Sequence, residues 1–402
     1  MAPRIHRLSV RTILNSGGGP AAEAELILHD GSTGRGSSPT AIKPGPLERS
    51  TSTDLRVGAP VPDRVAAMAT ALPNATIHDQ DELDGWLEDR LADLGTDVTL
   101  AVSLAYARAS ARAADVPLYR YLATQAAAEP AFPGLLAAVV SGGLHRTGGG
   151  PPFQQIMLAS HARVPSEDIP AVMEAYRQTE LVLRARDLLT GYSASSGMTV
   201  TAMDPVIPLD IVTEVLDQLG LADTVSLAID VAAEHLWEPD GYRVGDTTVD
   251  ADGLSVILDD LLSRYPIIFV EDPFVGAHTK SWSALRQRHA GQVDVIGDDL
   301  CATNVAYIDP TLADGILLKM NQVGTVTSAL RAAQEASRVG MRCCVSHRSL
   351  ETEDTAVCDF AVAIGASWIK IGGPRRGDRT AKYNRLLRLE SSLTQPAGSR
   401  RT

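Results

Sequence analysis

The sequence predicts an α/β fold: a (β/α)8-type barrel preceded by an N-terminal α+β capping domain. Three observations predict it. Short, wholly apolar runs recur through the second half of the chain, each followed by an amphipathic helical stretch. Strands that are apolar on both faces need helices on both sides. The alternation fills about 250 residues, the size of one closed barrel. The first third reads differently, as a pair of alternating strands followed by Ala- and Leu-rich helices.

In chain order, residues 5–30 come first. IHRLSVRTIL and AEAELILHDG each alternate apolar and polar residues, and the run from Asn15 to Pro20 between them is a chain breaker. Residues 33–62 are rich in Ser, Thr, Gly and Pro and have no helical period, so they read as a long functional loop. Residues 61–125 read as helices, because DELDGWLEDRLADL and VTLAVSLAYARASARAA repeat apolar residues at helical spacing. The first domain is therefore set at residues 1–128.

From about residue 134 the β-then-α alternation begins. The apolar runs are VSLAIDV, IIFVEDP, VDVIGDD, GILLKMN, RCCVSH and WIKIGG, separated by segments such as GLSVILDDLLSRY and TSALRAAQEASRVG. A doubly wound open sheet would show a Gly-rich fingerprint after its first strand, and none follows these runs. The barrel is set at residues 129–390. Residues 391–402, ending in TQPAGSRRT, read as a flexible tail.

Composition narrows the function. The net charge of −13 argues against nucleic-acid and membrane-surface partners, since polyanions are repelled. The four cysteines, Cys301, Cys343, Cys344 and Cys358, have neither zinc-type spacing nor a disulfide framework. With no apolar run long enough for a bilayer, a reducing, cytoplasmic location is expected. Only five of the 36 basic residues are lysines: Lys43, Lys280, Lys319, Lys370 and Lys382. Lysine is thus the marked choice, because a proton-accepting base cannot be arginine.

Each of the six apolar runs ends in an ionisable residue: Asp230, Glu271, Asp298, Lys319, His347 and Lys370. They are spaced 41, 27, 21, 28 and 23 residues apart, about one β/α unit each. Barrel active sites lie at the C-terminal ends of the strands, so these groups are expected to share one end. Taken singly, each acid reads as an ordinary helix cap. Taken together, Asp230, Glu271 and Asp298 make a hard oxygen donor set, which crowding forces to hold a cation and which suits Mg2+. A lysine closing an apolar strand loses hydration and can serve as a base, while a second one that stays charged can meet a substrate carboxylate. His347, Arg348 and Ser349 offer donors suited to a phosphate or phosphonate oxyanion.

The stretches AIDVAAEHL (228–236), RYPIIFVEDPF (264–274), VIGDDLCATN (295–304), GILLKMNQVGT (315–325), CVSHRSLETEDT (344–355) and WIKIGGPRRGDRTAKYNRLLRLE (368–390) resemble the enolase family. SGGLH (141–145) is similar to its Asn-Gly-Gly-Ser-His segment, and AVSLAYARASARAADVPLYRYLA (101–123) to an N-domain helix. The resemblance implies that Asp230, Glu271 and Asp298 are the Mg2+ ligands and Lys319 the base that removes the proton α to a carboxylate. It implies that Lys370 contacts that carboxylate, that His347, Arg348 and Ser349 face the phosphate, and that His145 is a mobile active-site histidine. The family mechanism, with Mg2+ steadying an ene-diolate, comes with the resemblance and not from these residues. So does the expectation of a homodimer.

The departures bear on the reaction. The family's Gly-Asp-Glu-Gly-Gly segment, whose glutamate helps hydroxide leave as water, corresponds to SSGMTVTAMDP (195–205), with Ala202 near the acid's place. The family's Gln-Glu pair is Gln154-Gln155. The Ser-Gly-Ala-Ser-Thr-Gly lid, which helps hold a second Mg2+, is PTAIKPG (39–45), so Thr40 stands near the metal-binding serine and Lys43 adds a fixed cation. Gln155, Thr40 and Lys43 join the substrate-binding candidates. Dehydration without a positioned acid forfeits about 10²–10⁴ in rate. The main expectation is therefore a specialised Mg2+-dependent enzyme that makes or uses an enolpyruvyl phosphate or phosphonate. A carboxyphosphonoenolpyruvate synthase of phosphonate antibiotic biosynthesis is the example, with a nucleotide-activated co-substrate. The alternatives are phosphopyruvate hydratase, with Asp204 or His145 recruited as the acid, and a non-catalytic binding protein of the same fold.

Overall fold

The computed structural model describes residues 4–42, 44, 54–145 and 149–394. Three strands open the chain: β1 (Ile5–Leu14), β2 (Pro20–Leu28) and β3 (Thr33–Ser37), antiparallel in the order β1-β2-β3. On β2, Ala22, Ala24, Leu26 and Leu28 are buried, as period two requires when one face is covered. The other face carries Glu23 and Glu25, paired with Arg11 and Arg35.

The expected loop at 33–62 is corrected at its start, because residues 33–37 are a strand. Thr33-Gly34-Arg35-Gly36-Ser37 pairs with β2 from Ile27↔Thr33 to Glu23↔Ser37. Its glycines read as loop residues but serve close packing. A Cβ on Gly34 would stand 1.8 Å from the Ala105 carbonyl oxygen, and one on Gly36 would stand 2.5 Å from that of Ala101. Both carbonyls lie on the helix Thr96–Ala113, which is buried along most of its length. Gly34→Ala is expected to cost about 3 kcal/mol through overpacking. Urea unfolding checks this, and an unchanged midpoint would contradict the packing argument. The helices Asp63–Ala71, Gln80–Glu88, Thr96–Ala113 and Leu118–Ala126 fill the region expected to be helical.

The remaining strands are β4 (Gly134–Ser141), β5 (Gln155–Ser160), β6 (Leu189–Tyr192), β7 (Met198–Val200), β8 (Val225–Asp230), β9 (Trp237–Glu238), β10 (Gly241–Val244), β11 (Thr247–Val249), β12 (Ile267–Glu271), β13 (Asp294–Gly297), β14 (Gly315–Leu318), β15 (Arg342–Ser346) and β16 (Trp368–Lys370). One sheet has the order β16-β15-β14-β13-β12-β8-β5-β4-β7-β6, and a β16–β4 pairing closes eight of its strands into a barrel. Every residue of β4, β5 and β8 is buried, which is why their sequences are mostly apolar. The barrel is not wholly parallel: β5 runs antiparallel to both β4 and β8. Among the described residues the link from β4 to β5 contains no long helix, and the chain returns beside itself instead of crossing over. Its first residue, Gln155, therefore stands in register with Ser141 and Asp230, the last residues of its neighbours.

By packing, the chain divides into two compact units. One comprises Met1–Ala131, Cys301–Ile308 and Ile316–Ala366; the other comprises Phe132–Leu300, Asp309–Gly315 and Ser367–Thr402. All four cysteines are buried, and none of them forms a disulfide. No helix among the described residues is long and apolar enough to cross a membrane. The expected tail begins inside a helix, because residues 391–394 complete Gly377–Thr394, and residues 395–402 lie outside the described residues.

Candidate active site

Six strands deliver the six expected groups. β8, β12 and β16 end on Asp230, Glu271 and Lys370, while Asp298, Lys319 and His347 directly follow β13, β14 and β15. The physical reason is uniform. The apolar cover of each strand ends at its C-terminal end, where the chain turns into the following loop, so an ionisable residue stands last in the strand or first after it.

The unit built on Phe132–Leu300 gathers the carboxylates. Lys370 Nζ donates to Asp230 Oδ2 at 2.8 Å and to Glu271 Oε2 at 2.6 Å. Asp230 and Glu271 are paired in register on neighbouring parallel strands. Burial alone would push the Lys370 amine down, but the two carboxylates outweigh it and hold the amine well above its ordinary range. Lys370 is thus the lysine that stays charged. Gln154 Nε2 donates to the same Asp230 oxygen at 3.1 Å.

Asp298 joins a second group. Asp272, in the left-handed region at φ 42°, accepts the backbone N–H groups of Asp298 and Asp299 on its two oxygens, each at 2.8 Å. Oxygens of Asp272, Asp298 and Asp299 lie within 4.8 Å of one another. Burial, and then the charges of Asp299, Asp298 and Glu271, push the Asp272 carboxyl well above its usual range. The expected trio thus falls into two adjoining groups, Asp230–Glu271 under Lys370 and Asp298 with Asp272 and Asp299, which meet at the chain neighbours Glu271 and Asp272. Sequence reasoning gave no role to Asp272 and Asp299. The doubled acids at 271–272 and 298–299 were the available signal. All five donors are carboxylate oxygens, with no thiolate or imidazole among them, and crowded buried carboxylates call for a cation. The set fits Mg2+.

A neutral row lies beside Asp230. Gln155 Nε2 donates to Ser195 Oγ at 2.9 Å, Ser195 and Ser193 share a hydrogen bond at 3.0 Å, and Ser193 and Ser141 share one at 2.9 Å. Thr199 on β7 stands in register with Ser141, while Ala202 lies beyond that strand and is buried. No carboxylate takes part in this row. His145 ends the short turn Gly143–His145, and its side chain lies outside the described residues.

The unit that contains residues 316–366 carries the other candidates. Lys319 opens the short helix Met320–Val323, and its backbone N–H donates to Thr303 Oγ1 at 2.9 Å. Arg348 is buried, with Nη1 donating to Asn321 Oδ1 at 2.9 Å and its backbone N–H donating to Glu351 Oε1 at 2.8 Å. Thr40 pairs with Leu350 through two backbone hydrogen bonds of 2.8 and 3.1 Å, and its hydroxyl accepts from Asn15 Nδ2 at 2.8 Å. The segment ending at Thr40 is therefore stitched to the chain just after Ser349. Lys43 lies outside the described residues.

Arg108 anchors that stitching. Its guanidinium donates to both oxygens of Asp354 at 2.6 Å, and Asp354 also accepts the N–H groups of Ser37 and Ala356. Burial would raise the Asp354 carboxyl, but Arg108 outweighs it and holds the carboxyl below its ordinary range. The stabilisation from this depressed group is complete above the unfolded value near 4, and it is lost as pH falls through the folded value below that. Asp354→Asn is expected to cost about 3 kcal/mol at neutral pH and to flatten the loss of stability below about pH 4. Denaturant titrations from pH 6 to pH 3 check both, and an unchanged acid limb would contradict the assignment.

The family model "Enolase, C-terminal TIM barrel domain" matches residues 130–400, and "Enolase, N-terminal domain" matches residues 5–122. The enolase of Methanopyrus kandleri is 35% identical over 424 residues, covering 98% of this chain and 97% of that protein. The enolase of Kineococcus radiotolerans is 33% identical over 413 residues, covering 98% and 95%.

Proposed function

The chain belongs to the enolase family, whose members are Mg2+-dependent, and from that premise we propose that it catalyses the phosphopyruvate hydratase reaction. The substrate is 2-phosphoglycerate and the products are phosphoenolpyruvate and water. Near-complete coverage by relatives named enolase favours this reading. The observation that carries it is the division of labour between the two strand-end lysines. Two buried carboxylates hold Lys370 in its charged form, which in this reading assigns proton removal to Lys319.

In this reading Lys319 Nζ takes the proton from the carbon next to the carboxylate. Lys370 stays protonated and faces the carboxylate as negative charge builds on it. His347, Arg348 and Ser349 hold the phosphoryl oxygens, with Arg348 held at its place by Asn321. Asp230, Glu271 and Asp298, supported by Asp272 and Asp299, would hold Mg2+, which supplies positive charge against the deprotonated carboxylate. The electron pair left on the carbon then forms the C=C bond as the C–O bond breaks, and the departing hydroxide takes a proton from the recruited acid, Asp204 or His145, to become water. Absorbance of the enol product with 2-phosphoglycerate and Mg2+ tests the reading. Mg2+-dependent turnover is expected, and its absence at saturating Mg2+ would overturn it.

One observation favours a second reading. Gln155 and the hydroxyls of Ser141, Ser193 and Ser195 form a neutral row on the side where the family resemblance places its acids. A better leaving group does not need that acid. An enzyme that makes or uses an enolpyruvyl phosphonate, of the carboxyphosphonoenolpyruvate synthase type, fits this row. It would keep proton abstraction by Lys319 while failing to dehydrate 2-phosphoglycerate.

A further inference from the structure

The backbone just after Asp298 and Asp299 is unusual. Ala302 and Thr303 are consecutive non-glycine residues in the left-handed region, at φ 44° and 57°. A β-branched residue is the least suited to that region, and such conformations cost about 1–3 kcal/mol each. They persist where the surrounding structure dictates them.

The Thr303 hydroxyl shows what the strain secures. Thr303 is 1% exposed. Its Oγ1 accepts the backbone N–H of Lys319 at 2.9 Å and donates to Gln322 Oε1 at 2.6 Å, so both capacities of the hydroxyl are used. Gln322 is buried as well. The turn that Thr303 grips is closed on its far side by Gly324, at φ 82°, where a Cβ would stand 2.8 Å from Thr99 Oγ1 and 2.9 Å from Leu91 Cδ2. Residues 319–324 are thus clamped at both ends. Lys319 leaves this clamp between buried Leu318 and Met320. Fixing the Lys319 peptide plane fixes the direction in which its side chain departs.

We infer that Thr303 is a positioning residue for Lys319, its hydroxyl setting the backbone from which the amine reaches the substrate. The inference rests on the reading of Lys319 as the base. A base misplaced by about 1 Å loses about 10²-fold in rate. That loss falls on proton removal and leaves substrate binding in place.

Two variants test it, Thr303→Val and Gln322→Met, with Thr303→Ser as the conservative control. The chain has only five lysines, so reductive methylation with 13C-formaldehyde resolves each amine by NMR. Loss of one signal in Lys319→Arg assigns Lys319. Thr303→Val and Gln322→Met are expected to move the 13C-methyl signal of Lys319, while Thr303→Ser and the other lysines keep their native signals. With 2-phosphoglycerate deuterated at the reacting carbon, both variants are expected to lose about 10–100-fold in kcat, with KM within about twofold and a larger isotope effect. Thr303→Ser is expected to restore kcat to within about threefold of the native value. Should one variant fail to fold, the other decides. An unmoved Lys319 signal in a folded variant overturns the inference. Full activity in Lys319→Ala overturns instead the base assignment on which it rests. The NMR arm needs no substrate and decides the positioning by itself.

Discussion

Lys319→Ala is expected to lower the rate of proton removal by about 10⁴-fold while leaving the melting temperature near that of the native chain. The size follows from the role. A positioned general base contributes about 10²–10⁴, and the carbon acid next to a carboxylate is weak enough to need the upper end of that range. The intact melting temperature follows from placement. Lys319 lies one residue beyond β14 and is only partly buried, so the barrel core from Ile316 to Leu318 keeps its packing without it. Arg at this position cannot rescue the rate, because it does not release its proton at working pH. Steady-state kinetics with a thermal melt on the same sample check the pair of outcomes. A loss of activity that merely tracks a loss of folding would contradict the assignment.

Lys370→Met is expected to act on stability as strongly as on rate. The native amine offsets two buried carboxylates at 2.8 and 2.6 Å. Removing it leaves Asp230 and Glu271 side by side in register, both nearly inaccessible, without the amine that bridges them. Breaking a buried ion pair by removing one partner costs about 3–5 kcal/mol. In the native chain the raised Lys370 contributes its full stabilisation below the unfolded value near 10 and loses it only above that, so stability near neutrality does not depend on its titration. In the variant the crowded carboxylates titrate instead. Like charge and burial raise one of them, and protonation relieves the repulsion, so the variant gains stability as pH falls from 8 to 5. Mg2+ is expected to restore part of the loss by binding the folded state. Urea titrations at pH 5 and pH 8, with and without Mg2+, check both trends. A variant indifferent to pH and to Mg2+ would contradict the charge arrangement.

Much of the site was legible before the fold was known, for one reason. The runs ending at Asp230, Glu271, Asp298, Lys319, His347 and Lys370 are apolar because both faces are covered, so the first ionisable residue marks the strand's exit. What escaped was set by tertiary neighbours. Gly34 and Gly36 look like loop glycines until the Ala101 and Ala105 carbonyls are seen against them. The reversal of β5, which sets Gln155 beside Asp230, depends on how the β4–β5 link turns, and no periodicity encodes that. Asp272 and Asp299 stand in the sequence as the second acids of two doublets, but only the turn at Asp272 brings them to Asp298. The left-handed turn at Thr303 lies in a segment whose residue types suggest nothing special.

The most direct measurement is the exchange of the hydrogen next to the carboxylate of 2-phosphoglycerate for solvent deuterium, followed by NMR. It reports proton removal alone, whichever group then departs, and so does not depend on the neutral row at Gln155. The expected result is exchange that requires Mg2+ and is absent in Lys319→Ala. Exchange that proceeds equally without Mg2+, or that survives in Lys319→Ala, would contradict a carboxylate-held cation acting with a lysine base.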